Sequence, residues 1–495
     1  MRAHRQAPAS GVQTTWQGVR VAKIQSYIHG ASVDHAGDVL PFVSPIDTSS
    51  VGDLIDAPAD VVAQAVSDAA QAFQAARKLP VADRMSWLSK AAEAIEAHAA
   101  ELVTLIIRDI GKPRRAATFE VGRAAQFIRA TVAQAQTFGG ESLPLDVTQA
   151  GAGRIGLTRR VPYGVVAAIT PFNAPINLLI QKVAPALAVG NAVVVKPHPA
   201  GTRVALKVAE LFIQAGLPPG LFNVVTGDRG PALALAGAQE VSVVTFTGGT
   251  RAGEALIRAA GARKFVAELG SNAANVVLDD ADLADAATRI AAAGFEASGQ
   301  QCVSAQRVIV AASVYEEFLA HFVKAAAALR AGDPDDAKAD LGPMVSLAQA
   351  DRVMAMARDA VAHGGRYALE PRQDGCMVTP GILVDVPRRA SLWCDEVFGP
   401  LVVVERAADV EEALRLANDS PFGLQGAVFT RDIARALRFA DDFDVGSMWV
   451  NEASRFRLDT YPFGGVKQSG FGREGVRYAM EELSQMKFIG IRPVA

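Results

Sequence analysis

Cys302, Cys376 and Cys394 are the only thiols in the chain. Three cysteines cannot build a disulfide framework, and with no CxxC or HExxH they mark no metal site. A thiol here either packs as a small hydrophobe or attacks as a nucleophile. Glycine is the other residue whose spacing suggests chemistry, because glycine-rich turns cradle phosphates. Gly151-Ala152-Gly153-Arg154-Ile155-Gly156 is a full GxGxxG, but that fingerprint needs a strand before it, a helix after it and an acidic residue about 20 positions on. A strand follows instead, and the next acid is Glu210. Gly470-Phe471-Gly472-Arg473-Glu474-Gly475 does open a helix, yet it lacks a clear preceding strand and lies close to the end of the sequence. Neither run reads as a nucleotide site. The informative segments are dispersed: Pro171-Phe172-Asn173, Lys196-Pro197, Phe246-Thr247-Gly248-Gly249-Thr250, Glu268-Leu269-Gly270, Gly299-Gln300-Gln301-Cys302, Glu396-Val397-Phe398-Gly399-Pro400 and Pro462-Phe463-Gly464-Gly465-Val466-Lys467.

Positioning such segments takes a scaffold, and the hydrophobic pattern supplies one. Residues 1 to about 20 are polar and aperiodic, a loose arm. Three helices are expected over Asp60–Arg77, Arg84–Ile110 and Arg115–Phe138, the second stopped by Gly111 with Pro113 just beyond. Leu143–Thr158 is short and Gly-rich, a hairpin or connecting ribbon. From Val161 the pattern alternates: apolar strands at Val165–Ile169, Ala192–Val195, Asn223–Val225 and Val241–Phe246 are separated by helices. Continuous apolar strands of this kind form a parallel sheet covered on both faces. Ligands then lie at the carboxyl ends of the strands, so the turns after Ile169, Val195, Val225 and Thr247 are the expected cofactor contacts, Thr170 and Gly227 among them. A second α/β series starts near Asn275 and runs through strands at Val308–Val310, Leu383–Val384 and Leu401–Val404. With no linker between the series, the fold class is α/β with two interleaved domains.

Composition closes off other classes. The 495 residues are 50% hydrophobic, 20% charged and 6% aromatic, an ordinary globular balance. The formal charge of −3 from 49 basic and 52 acidic residues shows no excess that would suit nucleic acid. Apolar runs are broken well short of the roughly 18 residues a membrane helix needs. The basic start Met1-Arg2-Ala3-His4-Arg5 lacks a following apolar core, so no secretory signal is expected and the location read from the sequence is cytoplasmic.

In this order and with these separations, the dispersed segments resemble the NAD(P)-dependent aldehyde dehydrogenases over nearly the whole chain. The resemblance implies the aldehyde dehydrogenase-like fold: a dinucleotide-binding domain of residues 20–138 and 160–270, and a catalytic domain of 271–480. It also implies an oligomerisation ribbon at 139–159 with a tail strand in 481–495, and hence a homodimer or homotetramer. Residues 1–19 would be the flexible arm.

The resemblance assigns Cys302 as the nucleophile, and the chemistry agrees. An aldehyde offers no good hydride until a nucleophile makes it tetrahedral, which the Cys302 thiolate would do as a thiohemiacetal. Asn173 matches the side-chain amide of the oxyanion hole, with the Cys302 N–H as its partner. Glu268 matches the base that activates water against the thioester. Relatives that pass the acyl group to coenzyme A lack this Glu, so hydrolysis to a free acid is favoured over the acylating alternative. Retention of all three residues also weighs against a catalytically silent member serving as a binding or structural protein. For the cofactor, Lys196 matches the adenosine-ribose ligand, Glu396 the nicotinamide-ribose ligand, and Phe398 packs near the nicotinamide. Gly248 and Gly249 bring backbone N–H groups to the pyrophosphate. Pro199 stands where NAD-preferring relatives usually carry Glu, which leaves NAD preferred with NADP tolerated.

Lys196-Pro197-His198-Pro199 and Gly472-Arg473-Glu474-Gly475 resemble the branch of lactaldehyde, phosphonoacetaldehyde and non-phosphorylating glyceraldehyde-3-phosphate dehydrogenases. There, arginines at the tunnel entrance hold anionic or hydroxylated substrates, and Arg123 and Arg457 fall at corresponding positions. Gln301 stands where the glyceraldehyde-3-phosphate enzymes have Arg. Gln181 and Ala297 replace the carboxylate-binding arginines of succinate-semialdehyde relatives. A short polar or anionic aldehyde is the expected substrate.

Overall fold

The computed structural model describes residues 23–493; the expected arm at 1–19 lies outside them. Two sheets dominate. The first has eight strands in the order Gly470–Phe471, Lys264–Glu268, Val241–Thr247, Val165–Thr170, Ala192–Pro197, Phe222–Val224, Tyr27–Ile28 and Ala31–Ser32. Its five central strands are parallel and its outer additions antiparallel. Val165–Thr170 and Ala192–Pro197 are buried along their whole length, as the continuous apolar runs required. The second sheet has seven strands, ordered Arg366–Leu369, Gly381–Val384, Leu401–Ala407, Arg307–Ala311, Ala274–Val277, Gln425–Phe429 and Ser447–Val450, of which the first alone is antiparallel.

Four helices precede the central strands and join the first sheet's core, Ala59–Ala76 against the strands themselves and the other three through neighbouring helices. The stretch expected as one helix over 84–110 is two, Val81–Ala97 and Ala99–Ile110. The break falls at His98, whose ring nitrogen Nδ1 lies 2.9 Å from the Ala94 carbonyl oxygen while its backbone leaves helical geometry. No Gly or Pro announces that break. Gly111 ends the second helix in the left-handed region at φ 68°, as its position predicted.

One expected boundary moves. Residues 470–480 were expected with the catalytic domain and 481–483 with the tail, yet Gly470–Phe471 extends the first sheet beside Lys264–Glu268. The helix Val476–Glu482 buries Val476 and Met480 in the first core. The chain thus returns to close the site from the far side. The ribbon is a three-stranded antiparallel sheet: Ser142–Leu143, Ile155–Pro162 and Ser484–Ile491. Gly151, first residue of the rejected fingerprint, sits in a short 3-10 turn ahead of a strand, so it caps no helix.

Candidate active site

The carboxyl edge of the first sheet gathers the expected cofactor residues. Thr170, Lys196, Thr247 and Glu268 end neighbouring strands, with Ile169 opposite Lys196 and Thr247 opposite Glu268. Gly249 caps the helix Thr250–Ala260, and a side chain added there would meet nothing within 4 Å. That bare helix N-terminus suits a pyrophosphate. The Thr247 hydroxyl is buried without a partner, and Lys196 is buried with no ion pair among the described residues. Burial lowers the Lys196 ammonium to about 8 against the opposing pull of Asp228 and Asp56. Glu396 accepts a hydrogen bond from the Ser271 N–H at 3.0 Å, and burial raises its carboxyl to about 7. Phe398, at φ 47°, sets its ring 5.8 Å from Phe172. Gly227 takes φ 120°, where a side chain would strike the Asp56 carboxylate. These residues fit a dinucleotide laid along the sheet edge.

Cys302 lies between the helix Leu283–Phe295 and the strand Arg307–Ala311, as expected. The approach to it is strained: Ala297, Ser298 and Gly299 are left-handed in succession, at φ 53°, 59° and 64°. For non-glycine residues that costs of order 1–3 kcal/mol each and needs surrounding support. The support is visible. Ser298 Oγ donates to the Gly342 carbonyl at 2.6 Å, Val345 N–H donates to Gln300 Oε1 at 3.0 Å, and Ser454 Oγ donates to the Val303 carbonyl at 2.9 Å.

Beyond Cys302 opens a cleft of about 780 Å³, whose wall includes Asn173, Gln181, Gln301, Arg123 and Arg457. Among the described residues, neither the Cys302 N–H nor the Asn173 side chain has a hydrogen-bond partner. Both residues line the same cleft with a donor left free, as two donors for a developing oxyanion would have to be. Burial and the nearby Glu268 carboxylate push the Cys302 thiol up, while Arg457 opposes them.

Beside the thiol is a buried charge cluster that the sequence reading did not find. Lys182 donates to Glu474 at 2.8 Å and to Thr245 at 3.2 Å. Arg457 donates through one nitrogen, Nη2, to both Glu474 and Gln181, at 2.9 and 2.8 Å. Its guanidinium lies 3.6 Å above the Phe463 ring. Glu268 is buried with both oxygens unpaired; burial first, then the neighbouring Glu474, raises its carboxyl well above the usual range. Glu474 stays ionised because Lys182 and Arg457 flank it. The one available signal was a charged residue interrupting an otherwise apolar helix, Ile180-Gln181-Lys182-Val183.

The two expected substrate arginines differ from expectation. Arg457 is not at the entrance: its side chain is 9% exposed, and its charge acts on Cys302 and Glu268. Arg123 does sit toward the mouth, but it makes two hydrogen bonds to Asp459, at 3.1 and 2.6 Å. Gln301 accepts from Arg455 Nε at 2.9 Å. Of the other cysteines, Cys376 is buried and Cys394 is partly buried against the second core.

A parallel α/β edge built for a dinucleotide, facing a cysteine with two free oxyanion donors and an acidic group, defines a nicotinamide-dependent aldehyde-oxidising enzyme. The comparisons agree: residues 33–489 match the Aldehyde dehydrogenase family, and the chain belongs to it. It is 40% identical over 409 residues to a 3-sulfolactaldehyde dehydrogenase of Priestia aryabhattai, covering 82% of this chain and 86% of that one. It is 35% identical to the lactaldehyde dehydrogenase of Methanocaldococcus jannaschii, covering 86% and 91%. The crystal structure of an NADP-dependent glyceraldehyde-3-phosphate dehydrogenase from Bacillus halodurans, complexed with NADP, superposes with a TM-score of 0.92. The identity there is 32%, over 96% of this chain and 99% of that one. The chain is thus an NAD(P)-dependent aldehyde dehydrogenase, and no described helix is long and apolar enough to cross a membrane.

Proposed function

We propose that the enzyme oxidises a short anionic aldehyde, one carrying a sulfonate or carboxylate, to the free acid without coenzyme A. The observation that carries this reading is Arg457, a buried cation in the cleft wall whose Nε has no partner. A buried guanidinium with an unused donor is a strong site for a small oxyanion. The similarity to a 3-sulfolactaldehyde dehydrogenase supports the same substrate class.

In this reading Cys302 gives up its thiol proton to water in the cleft and adds as the thiolate to the aldehyde carbon, whose π electrons move onto the oxygen. The Asn173 amide and the Cys302 N–H hold the oxyanion. The nicotinamide dinucleotide, when bound, would supply the hydride acceptor, and Lys196 and Glu396 are the residues that would hold its adenosine and nicotinamide riboses. The resulting thioester is attacked by a water that Glu268 deprotonates, and the proton Glu268 takes is available to the departing Cys302 sulfur. Collapse of the second tetrahedral intermediate breaks the C–S bond and releases the acid.

We further infer NAD preference with NADP tolerated. Asp56 and Asp228 supply the carboxylates beside Lys196 that Pro199 does not, Asp56 accepting from the Asp228 N–H at 2.7 Å. The domain limits expected from the sequence are kept, with 470–483 moved to the cofactor side. The ribbon is assigned to a homodimer or homotetramer: Met486, Phe488 and Ile491 are exposed on it, as an edge awaiting a neighbour's sheet would be. A cytoplasmic location suits a nucleophilic thiol that must stay reduced.

The test is reduced-cofactor formation with a panel of aldehydes, NAD and NADP in parallel, with Cys302→Ala as the inactive control. Anionic aldehydes should exceed propanal by tenfold or more in kcat/KM, about 1.4 kcal/mol. Arg457→Ala should narrow that ratio beyond its general cost. A ratio near one, or acyl-CoA formed when coenzyme A is added, would overturn the reading.

A further inference from the structure

Lys112 and Glu120 form an ion pair that is almost wholly buried, at 7% and 3% side-chain exposure. Neither touches Cys302, and a charge pair taken out of water is costly unless it secures something. What it secures is backbone. Glu120 Oε1 accepts from the N–H groups of Ile176 and Asn177, at 3.0 and 3.3 Å, where the helix Asn177–Ala188 begins. A carboxylate there satisfies two donors that helix geometry leaves free and meets the positive end of the helix dipole.

That helix start is the far anchor of the Asn173 turn. On the near side, the His198 N–H donates to the Thr170 carbonyl at 2.8 Å. Between these points, residues 171–173 make no hydrogen bond among the described residues, and the Asn173 amide has none. Its position is therefore set by the two anchors and by packing, Phe172 lying 5.0 Å from His198.

The other member of the pair reaches the opposite donor. Lys112 follows Gly111, whose backbone abuts the Gly342-Pro343 turn so closely that a side chain on Gly111 would strike Pro343 and one on Gly342 would strike the Gly111 carbonyl. Gly342 in turn receives the Ser298 hydroxyl in the strained turn that leads to Cys302. Lys112, Pro113, Asn173 and Ser298 all line one small void between these segments. A single buried pair thus ties the Asn173 turn on the first sheet to the segment backing the Cys302 turn near the second.

We propose that Glu120 and Lys112 are positioning residues that set the spacing between the two oxyanion donors, the Asn173 amide and the Cys302 N–H. The inference rests on the aldehyde-oxidising mechanism above, in which those donors act together.

A double-mutant cycle on the full-length enzyme tests it, using the best aldehyde of the panel. Glu120→Ala should lower kcat by about tenfold or more while the coenzyme KM stays within about threefold. Glu120→Gln keeps an acceptor oxygen for the two N–H groups and should recover most of the loss. Because Glu120 acts through Asn173, Glu120→Ala in an Asn173→Ala background should cost less than about threefold more. Should Glu120→Ala not fold, Lys112→Met, which leaves the carboxylate in place but unpaired, enters the same cycle. Losses that multiply in the double variant, or a kcat unchanged by both single variants, would overturn the proposal. A parent enzyme that oxidises no aldehyde would overturn the mechanism instead, and the two failures are told apart by the parent's own activity.

Discussion

The floor and the rim of the cleft are both rich in charge, but they are wired differently. On the floor, Glu268, Glu474, Lys182 and Arg457 are all buried, and two carboxylates answer to two cations through incomplete bonding. At the rim, every arginine is paired with acids: Arg289 with Glu452 and Asp285, Arg115 with Asp340 and Glu296, Arg455 with Glu296, Arg123 with Asp459. Charges in a low-dielectric interior shift one another's ionisation strongly, whereas exposed pairs are screened and contribute little. The floor charges are therefore placed to act on one another and on Cys302, whereas the rim charges largely neutralise each other. An arginine count along the sequence cannot separate the two.

The largest expected effect is at the unpaired carboxyl. Glu268→Gln should cut steady-state turnover by about 10²–10⁴-fold while a single burst of reduced cofactor survives. The burst survives because only thioester hydrolysis needs this base. Stopped-flow absorbance at the nicotinamide band reads both phases, and loss of the burst along with turnover would place Glu268 in the first half-reaction.

Next comes the pH dependence that the cluster imposes. Glu268 must be ionised to take a proton from water, and its carboxyl is raised, so kcat should climb with pH through that raised value. Glu474→Gln removes a like charge and leaves Lys182 and Arg457 uncompensated. Both changes favour the ionised form of Glu268, so the rising limb should move to lower pH. A limb that stays in place would detach the two carboxyls from one another.

The smallest effect belongs at the rim. Arg289→Ala breaks two half-exposed pairs and should change stability by no more than about 1 kcal/mol. Its kcat/KM for an anionic aldehyde should stay within about threefold, measured beside Arg457→Ala. If the rim variant matched the floor variant in lost selectivity, the contrast between the regions would fail.

The alternating architecture was legible because parallel strands buried on both faces must be apolar throughout, as Val165–Thr170 and Ala192–Pro197 are. The short pairings Lys23–Ile24, Tyr27–Ile28 and Ala31–Ser32 were not, since two residues carry no period. The helix Leu347–Ala362 did carry one, burying Ala350, Val353, Met354, Ala357 and Ala360, and the reading passed over it. Asn173, Glu268, Cys302 and Glu396 stand in distinctive local motifs, and the structure brings them to the sheet edge and the cleft as candidates. Lys182 and Glu474 were missed because they pair across 292 residues; Lys112 and Glu120 lie only eight apart, but what buries them and what they hold is set by distant segments.

From the sequence alone come the α/β series, the cofactor edge and the candidate nucleophile, because strand burial and local motifs are properties of contiguous residues. The floor cluster, the paired state of Arg123 and the depth of Arg457 were decided only by the folded chain. Whether a charge is buried, and which opposite charge reaches it, depends on distances that exist only once the two sheets and the returning segment 470–483 close around one cleft.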